Sequence, residues 1–232
     1  DIGPINFTLH AGEVLSLVGL RGAGQEQVGR ALIGDDPAKQ GNITIKGQPL
    51  RHSSPNQAVQ SGIGFVAADR VAESVAAGLS VRENMFINPG AAGRGLFSPR
   101  HPLNEASESK TLGADIGLSP NNPEAAIETL SGGNQQKVVM SRWMRIGPDV
   151  LVLEDPTAGV DVGAKADIYR LLSSALAKGH AVLLVSTDFE EVAAICHRAL
   201  VFQSGRIVAE INASDLSVES ITRATSLANK VH

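Results

Sequence analysis

The hydrophobic pattern of this chain consists of short apolar runs that are separated by glycines and polar residues. The four clearest runs cover residues 14–18, 63–66, 150–153 and 181–186. Each is long enough for one strand of a sheet and far too short to span a membrane. Because continuous apolar runs are typical of strands covered on both faces, the pattern predicts the buried strands of a parallel sheet.

Amphipathic stretches lie between these runs and predict helices. The predicted helices cover residues 25–33, 54–61, 103–116, 131–145, 164–178 and 189–196. Shorter apolar segments predict further strands at residues 5–9 and 42–46, and a hairpin formed by residues 199–202 and 206–210. Because strands alternate with helices along the chain, the order predicts an α/β fold with a largely parallel core sheet.

The composition narrows the class of protein. Of the 232 residues, 43% are apolar and 19% are charged, which is ordinary for a globular protein. A net charge of −4 argues against a nucleic-acid partner. The single cysteine, Cys196, has no second cysteine to pair with and favours a reducing compartment. The chain opens on Asp1 and reaches a strand pattern within a few residues, so we expect it to be a piece of a longer protein.

A glycine-rich loop follows the first predicted buried strand. Gly19 and Gly24 have the G-x-x-x-x-G spacing of a phosphate-binding loop, and glycines let the backbone wrap around an anion. A plain glycine-rich turn explains the spacing equally well, because the lysine and the Ser/Thr of such loops are missing. The candidate nucleotide-binding residues of this loop are Gly19, Arg21, Gly22, Ala23, Gly24, Gln25 and Glu26.

Gln25 and Glu26 stand where a phosphate loop carries lysine and Ser/Thr. A carboxylate about 5 Å from a phosphate, at an effective dielectric constant near 20, is repelled by roughly 3 kcal/mol. Glu26 can instead cap its own helix N-terminus in the place of a phosphate. Arg21 can offset part of the repulsion, although a solvated surface arginine is the simpler explanation. The loop is therefore predicted to bind nucleotide weakly or with unusual geometry.

Two further motifs point to a nucleoside triphosphate. Ser131 and two glycines open a predicted helix, and the free N–H groups of a helix N-terminus attract phosphate. Glu154 and Asp155 end a predicted buried strand, and carboxylates there can hold a hard cation such as Mg²⁺.

The segment Leu130-Ser131-Gly132-Gly133-Asn134-Gln135-Gln136-Lys137 resembles the signature motif of ABC-transporter ATPase domains. Its Asn-Gln-Gln-Lys ending is typical of the ATPases of ribose, galactose and xylose importers. The resemblance covers nearly the whole chain. The other matching segments are residues 68–70 and 78–85 for the Q-loop region, 150–155 for the Walker B strand, 156–165 for the D-loop, and Thr187 for the switch position.

Several of these positions depart from the family pattern. Ala68 replaces a glutamate, Thr187 replaces the switch histidine, and Glu154 and Asp155 stand in reversed order. The reversal changes each side chain by one methylene, and a misplacement of about 1 Å can cost on the order of 100-fold in rate. The resemblance implies catalytic positions at Glu154, Asp155 and Thr187, with Glu154 as the metal ligand. It implies nucleotide contacts from the signature residues Ser131, Gly132, Gly133, Asn134 and Gln135.

The resemblance also implies an ABC-type P-loop NTPase fold in a single ATPase domain, residues 1–232. An ATP-binding core is expected at residues 1–79 and 148–232, and a helical signature subdomain at 80–147. In this family two ATPase domains meet head to tail, and each ATP lies between the phosphate loop of one domain and the signature of the other. A damaged loop beside an intact signature resembles the second, C-terminal half of the fused sugar-importer ATPases.

That assignment implies ATP and Mg²⁺ as cofactors. The implied partners are the N-terminal ATPase half, transmembrane permease subunits and, indirectly, a periplasmic or extracellular sugar-binding protein. The implied location is the cytoplasmic face of the cell membrane, as a peripheral protein. A different class remains open, namely a non-catalytic ABC-type module that regulates or docks. A soluble ABC ATPase of DNA repair or translation is less well supported, given the acidic balance and the sugar-type signature.

Overall fold

The computed structural model describes residues 2–50, 53–87 and 102–227. The strands are β1 (Val14–Gly19), β2 (Thr44–Ile45), β3 (Gln48–Pro49), β4 (Ile63–Val66), β5 (Val150–Glu154), β6 (Ala181–Ser186), β7 (Arg198–Gln203) and β8 (Arg206–Asn212). The α-helices are α1 (Gln25–Leu32), α2 (Pro55–Gln60), α3 (Val81–Phe86), α4 (Pro102–Asp115), α5 (Gly132–Ile146), α6 (Val162–Ala177), α7 (Phe189–Ile195) and α8 (Val218–Leu227). A π-helical turn at Arg70–Ser74 and 3₁₀ turns at Ile127–Thr129 and Ala213–Asp215 complete the described elements.

Six strands form the main sheet in the order β4-β5-β6-β1-β7-β8. Strand β1 pairs in parallel with β6 and β7, β5 pairs in parallel with β6, and only the β7–β8 hairpin among these pairs is antiparallel. Every residue of β1 and β6 is buried, as expected of strands covered on both faces. The predicted α/β fold with a largely parallel sheet is confirmed.

The predicted edge strand at residues 5–9 is wrong, because these residues have no strand structure. Their alternation has another cause. Ile5, Phe7 and Leu9 pack against the apolar cluster that includes Leu15, and the polar residues between them face outward. The segment buries every second side chain without forming the backbone hydrogen bonds of a strand.

The described residues form two compact units. The first takes in the described parts of residues 1–65, 149–155 and 176–232, and the second those of residues 66–148 and 156–175. The sequence placed the boundaries of the helical subdomain at residues 80 and 147. Compared with this predicted subdomain, the second unit also includes residues 66–79 and most of α6. Residues 88–101 of the predicted subdomain lie outside the described part of the chain.

The second unit is built around helices α3, α4 and α5. Buried Val81, Met85, Ile127 and Val138 form the centre of its apolar cluster. Helix α3 begins at a capping box, in which Ser80 accepts from the backbone N–H of Glu83 and the Glu83 carboxylate accepts from the N–H of Ser80. Within the described ranges, no helix is both long and apolar enough to cross a bilayer.

Candidate nucleotide site

The predicted phosphate loop connects β1 to α1. Gly22 and Gly24 have φ angles of 80° and 112°, in the region that favours glycine. A Cβ atom on Gly24 would also lie 2.9 Å from Ile2 Cδ1 and 3.0 Å from Gly205 Cα. The glycines are therefore required by the path of the loop itself, whatever the loop binds.

Gln25 closes the loop from inside. Its side chain is fully buried, and Nε2 donates to the carbonyl oxygens of Gly19 and Leu20, each at 3.2 Å. Its Oε1 has no hydrogen-bond partner in the described part of the chain. Gln25 therefore holds the loop carbonyls where a phosphate loop has its lysine, but without that lysine's charge.

Glu26 adds a carboxylate to the loop. Its Oε1 accepts from the backbone N–H of Gly22 at 3.3 Å and from Gln25 Nε2 at 3.2 Å. A backbone N–H group of this loop is the kind of donor that a phosphate oxygen accepts from. The side chain of Glu26 thus occupies one backbone donor of the loop. Weak nucleotide binding by this loop stays a prediction.

Arg30 holds the first Walker B carboxylate. Its Nε donates to Glu154 Oε1 at 3.0 Å and its Nη2 donates to Glu154 Oε2 at 2.8 Å. The Glu154 side chain is only 5% exposed and that of Arg30 is 24% exposed, so this two-point ion pair is buried at its carboxylate end. Glu154 is predicted as the metal ligand, but both of its oxygens accept from a guanidinium. These residues do not fit a divalent cation on Glu154.

Asp155 is engaged at the end of β6. Its Oδ1 accepts from the backbone N–H of Thr187 at 2.8 Å and from Ser186 Oγ at 3.1 Å, and the Thr187 hydroxyl lies 3.4 Å from both carboxylate oxygens. Asp155 also has a φ of 36°, which is rare for a residue other than glycine. The structure thus brings together Asp155 and Thr187, two predicted catalytic residues. Their catalytic role remains a prediction.

The signature residues open helix α5 in the second unit. Exposed Ser131 is the N-cap, and its Oγ accepts from the backbone N–H of Asn134 at 3.4 Å and from Asn134 Nδ2 at 3.0 Å. Asn134 Nδ2 also donates to the carbonyl oxygen of Ser119 at 2.7 Å. Because Ser131 Oγ accepts in both of its contacts, its own proton is available to a ligand. Asn134 positions this hydroxyl.

An arginine lies beside the first signature glycine. A Cβ atom on Gly132 would be 2.8 Å from Arg70 Nη2, and Arg70 Nε donates to Gln135 Oε1 at 3.3 Å. Gln135 Nε2 donates in turn to backbone carbonyl oxygens, so its side chain is used within the unit. Burial lowers the pKa of Arg70. The arginine adds positive charge at the positive end of the α5 dipole, where an anion is stabilised.

The second signature glycine allows α5 and α6 to approach. A Cβ atom on Gly133 would lie 2.4 Å from Ala164 Cβ. We therefore expect Gly133→Ala to lower the free energy of unfolding by about 1–3 kcal/mol through overpacking. Urea unfolding measures this loss. Gly163→Ala is the matched control, because its new Cβ would meet only Asp161 Oδ1, at 3.3 Å, and should change stability much less. Equal losses in the two variants would contradict the close-packing explanation.

Lys137, the last residue of the signature segment, is buried. Its Nζ donates to the carbonyl oxygen of Gly117 at 2.6 Å and to Asp167 Oδ2 at 3.0 Å. The hydrogen bond from Lys137 lowers the pKa of Asp167, and nearby Arg170 contributes in the same direction. These contacts join α5, α6 and the segment after α4 within the second unit.

The Asp167 pKa gives a pH-dependent prediction. Because the folded pKa lies below the unfolded one, the stabilisation is complete above the unfolded value of about 3.9 and is lost as pH falls through the folded pKa. We expect Lys137→Met to lower the free energy of unfolding by about 1–3 kcal/mol at pH 7, with a smaller loss near pH 3. Urea titrations at the two pH values measure this difference. Exposed Lys178→Met is the control, and a loss from Lys137→Met that does not change with pH would contradict the assignment.

Arg142 links the segment from Ser74 to Asn84 to the signature helix. Its Nη1 donates to the carbonyl oxygen of Ser74 at 2.9 Å and its Nε donates to that of Asn84 at 2.7 Å. Burial lowers the pKa of Arg142 to about 10. Both ends of the segment from Ser74 to Asn84 are thereby hydrogen-bonded to α5.

Arg30, Arg70 and Arg142 were not singled out from the sequence as site residues. Arg30 and Glu154 are 124 positions apart, and Arg70 and Gln135 are 65 apart. Arg70 lies in the segment that matches the Q-loop region, and Arg30 and Arg142 lie in predicted helices. None of these patterns identifies a partner, so only the fold shows it. Arg21, also predicted to bind nucleotide, is exposed, and Ala23 is partly buried against the first unit's core.

Comparisons with known proteins agree with these features. Residues 2–158 match the ABC transporter family. The chain is 38% identical to the ribose import ATP-binding protein RbsA 3 of Rhizobium meliloti (strain 1021), over 94% of this chain and 43% of that protein. It is also 38% identical to the galactofuranose transporter ATP-binding protein YtfR of Escherichia coli (strain K12), over 96% of this chain and 44% of that protein. The chain thus spans less than half the length of these relatives.

Solved structures share the fold. The ADP conformation of MJ1267, an ATP-binding cassette of an ABC transporter, superposes with a TM-score of 0.77 at 20% identity, over 97% of this chain and 89% of that one. The ADP- and phosphate-bound dimer of the cassette MJ0796 gives a TM-score of 0.76 at 20% identity, over 90% of this chain and 89% of that one. The fold is that of ABC-type P-loop ATPases. From the family match and its relatives, the chain belongs to the ABC transporter family as an ATP-binding domain.

Proposed function

We propose that this chain is the C-terminal ATPase half of the ATP-binding subunit of a carbohydrate importer. The observation that carries the proposal is the contrast between its two motifs. The side chain of Glu26 bonds within the Gly19–Glu26 loop, whereas exposed Ser131 has a hydroxyl proton that its contacts with Asn134 leave unused. Sequence relatives named as ribose and galactofuranose import proteins support the sugar-importer assignment.

The signature completes the ATP site of the other half. The Ser131 hydroxyl, the N–H groups that follow it and the α5 dipole present donors to the γ-phosphate of an ATP held by the partner loop. The guanidinium of Arg70 beside Gly132 strengthens this positive surface. Closure of this surface over the γ-phosphate stabilises the charge that develops during hydrolysis. This chain thus supplies hydrogen-bond donors to the ATP that is hydrolysed on the partner half.

The site formed by this chain's own loop is degenerate. Gln25 brings no charge, Glu26 occupies the Gly22 N–H, and Asp155 accepts from Ser186 and Thr187. Glu154 does not fit Mg²⁺ because Arg30 binds both of its oxygens. We therefore assign ATP and Mg²⁺ to the site on the partner half, with this chain's own loop empty or regulatory.

The proposed partners follow from the importer assignment. They are the N-terminal ATPase half, the transmembrane permease subunits and, through these, an extracytoplasmic sugar-binding protein. The proposed location is the cytoplasmic face of the cell membrane. The segment from Ala68 to Asn84 is the proposed contact with the permease, because Arg142 fastens its Ser74–Asn84 part to α5 and so transmits movement to the signature.

The alternative is a non-catalytic ABC-type module that regulates or docks. The Glu26 contacts within the loop and the Arg30–Glu154 pair favour it, whereas the signature hydroxyl argues against it, because a scaffold needs no phosphate donors. The sequence that the gene encodes before Asp1 distinguishes the importer half from the non-catalytic module. A preceding ABC domain with Gly-Lys-Ser/Thr in its loop, and ATP hydrolysis by the protein with both domains, supports the importer. An intact gene without such a domain, and with no ABC partner encoded beside it, supports the module.

A further inference from the structure

We infer that the guanidinium of Arg30 replaces the divalent cation at Glu154, so that the nucleotide site of this chain is a metal-free site. The inference rests on the proposed function only in treating this loop as the degenerate one of two sites. It assigns a cause to that degeneracy: an ionic group built into α1 neutralises the carboxylate on which the family's metal depends.

The geometry of Arg30 is that of a fixed counter-ion. Its two donors reach the two oxygens of Glu154 at 3.0 and 2.8 Å, an arrangement that leaves neither oxygen to a metal alone. Asp35 Oδ2 lies 3.4 Å from Nη1, and the Phe65 ring centroid lies 5.0 Å from Arg30 Cζ. Asp35, the Phe65 ring and Glu154 therefore all contact the guanidinium. A cation can bind Glu154 only if the Arg30 side chain moves away from these contacts.

The packing of α1 makes room for this pair. Gly29 precedes Arg30, and a Cβ atom there would lie 3.3 Å from Val185 Cγ2 and 3.5 Å from Glu154 Oε1. The bare glycine lets the helix approach the end of β5, which brings the next residue within reach of the carboxylate. Gly29 and Arg30 are thus both needed for the contact between α1 and Glu154.

The Ser/Thr ligand of a P-loop magnesium site is also replaced in this chain. Mg²⁺ requires near-octahedral oxygen coordination, and P-loops supply one oxygen from a Ser/Thr hydroxyl. Glu26 stands at that position and accepts from Gly22 and Gln25.

Direct binding of Mn²⁺, followed by electron paramagnetic resonance on the purified 232-residue chain, tests the inference. We expect Glu154→Gln to leave Mn²⁺ binding at the level of the unaltered chain, because Glu154 holds no Mn²⁺ there. We expect Arg30→Gln to bind Mn²⁺ at least tenfold more tightly, because it removes the guanidinium that contacts both oxygens of Glu154, and the double variant Arg30→Gln/Glu154→Gln to lose this gain. Arg223→Gln is the matched control, since it removes an equal charge from an exposed pair with Glu219.

Two results would overturn the inference: Mn²⁺ binding by the unaltered chain that Glu154→Gln abolishes, or an Arg30→Gln variant that folds and gains no affinity. Circular dichroism establishes folding first. Should Arg30→Gln not fold, the comparison of the unaltered chain with Glu154→Gln decides alone. The proposed function is tested separately, by hydrolysis in the protein with both halves. Mn²⁺ binding at Glu154 would not contradict the proposed role of Ser131. Unchanged hydrolysis in a Ser131 variant would not contradict the metal-free site at Glu154.

Discussion

Replacing Ser131 with arginine should abolish ATP hydrolysis in the protein that carries both ATPase halves. Ser131 is exposed at the N-cap of α5, and its hydroxyl proton is unused in its contacts with Asn134. The substitution removes this donor and places a long side chain where the partner's γ-phosphate has to enter. Loss of one such donor costs on the order of 100–1,000-fold in kcat, and the added bulk prevents closure as well. Steady-state phosphate release measures the effect.

The controls for this variant separate the donor from the bulk and from the fold. Ser131→Ala removes the hydroxyl alone and should retain part of the activity. Ser214→Arg adds the same bulk at an exposed position of the first unit and should leave activity unchanged. The loss of a single donor is expected to cost about 100-fold or more in rate. Hydrolysis by Ser131→Arg at more than about a tenth of the unaltered rate would therefore contradict the role proposed for the signature.

Gln25→Ala tests the asymmetry between the two motifs. Its effect on hydrolysis should be small when it is measured well below the unfolding temperature. Because Gln25 is fully buried and bonded to Gly19 and Leu20, the variant should nevertheless lose stability. A large loss of hydrolysis in a folded Gln25→Ala protein would mean that this chain's own loop takes part in turnover.

Replacing Arg30 with methionine should lower the free energy of unfolding by about 3–5 kcal/mol, because it removes the guanidinium that donates to both oxygens of a buried carboxylate. Glu154 is only 5% exposed, and Arg30 supplies both of its charged hydrogen bonds described above. Adding Glu154→Gln to the same protein removes the buried carboxylate charge and should restore most of the loss. Urea unfolding of the two single variants and the double variant gives the coupling energy between the two side chains.

An exposed ion pair provides the comparison for this cycle. Arg223 and Glu219 are 64% and 84% exposed, and such pairs contribute little to stability. Arg223→Met should therefore have no measurable effect. A loss from Arg30→Met that is equally small, or one that Glu154→Gln deepens instead of relieving, would show that the Arg30–Glu154 pair is not a buried unit.

The sequence predicted the central strands well because their signal is local. Strands β1, β5 and β6 are continuous apolar runs that end in glycine or polar residues, and no tertiary contact is needed to see them. The segment at 5–9 shows the limit of the same rule, because burial of Ile5, Phe7 and Leu9 gives alternation without a strand. Helix α8 was not predicted from the sequence, although Ile221 and Thr225 of this helix are buried.

The candidate site divides in the same way. The signature could be predicted because Ser131, its cap and the two glycines are contiguous, and their chemistry follows from the start of one helix. The state of the other site could not, since it depends on Arg30 reaching a carboxylate 124 positions away. The reversed Glu154-Asp155 order suggested an impaired carboxylate pair, but no property of the sequence around Arg30 identifies it as the counter-ion.

Binding and turnover of Mg·ATP by the purified 232-residue chain alone test the central claim most directly. Isothermal titration with ATP, once with excess Mg²⁺ and once with EDTA, is paired with measurement of phosphate release. We expect no Mg²⁺-dependent gain in affinity and turnover far below about 1 s⁻¹. Tight binding that requires Mg²⁺, with turnover of about 1 s⁻¹ or more, would contradict the claim that this chain contributes its signature and not its own phosphate loop.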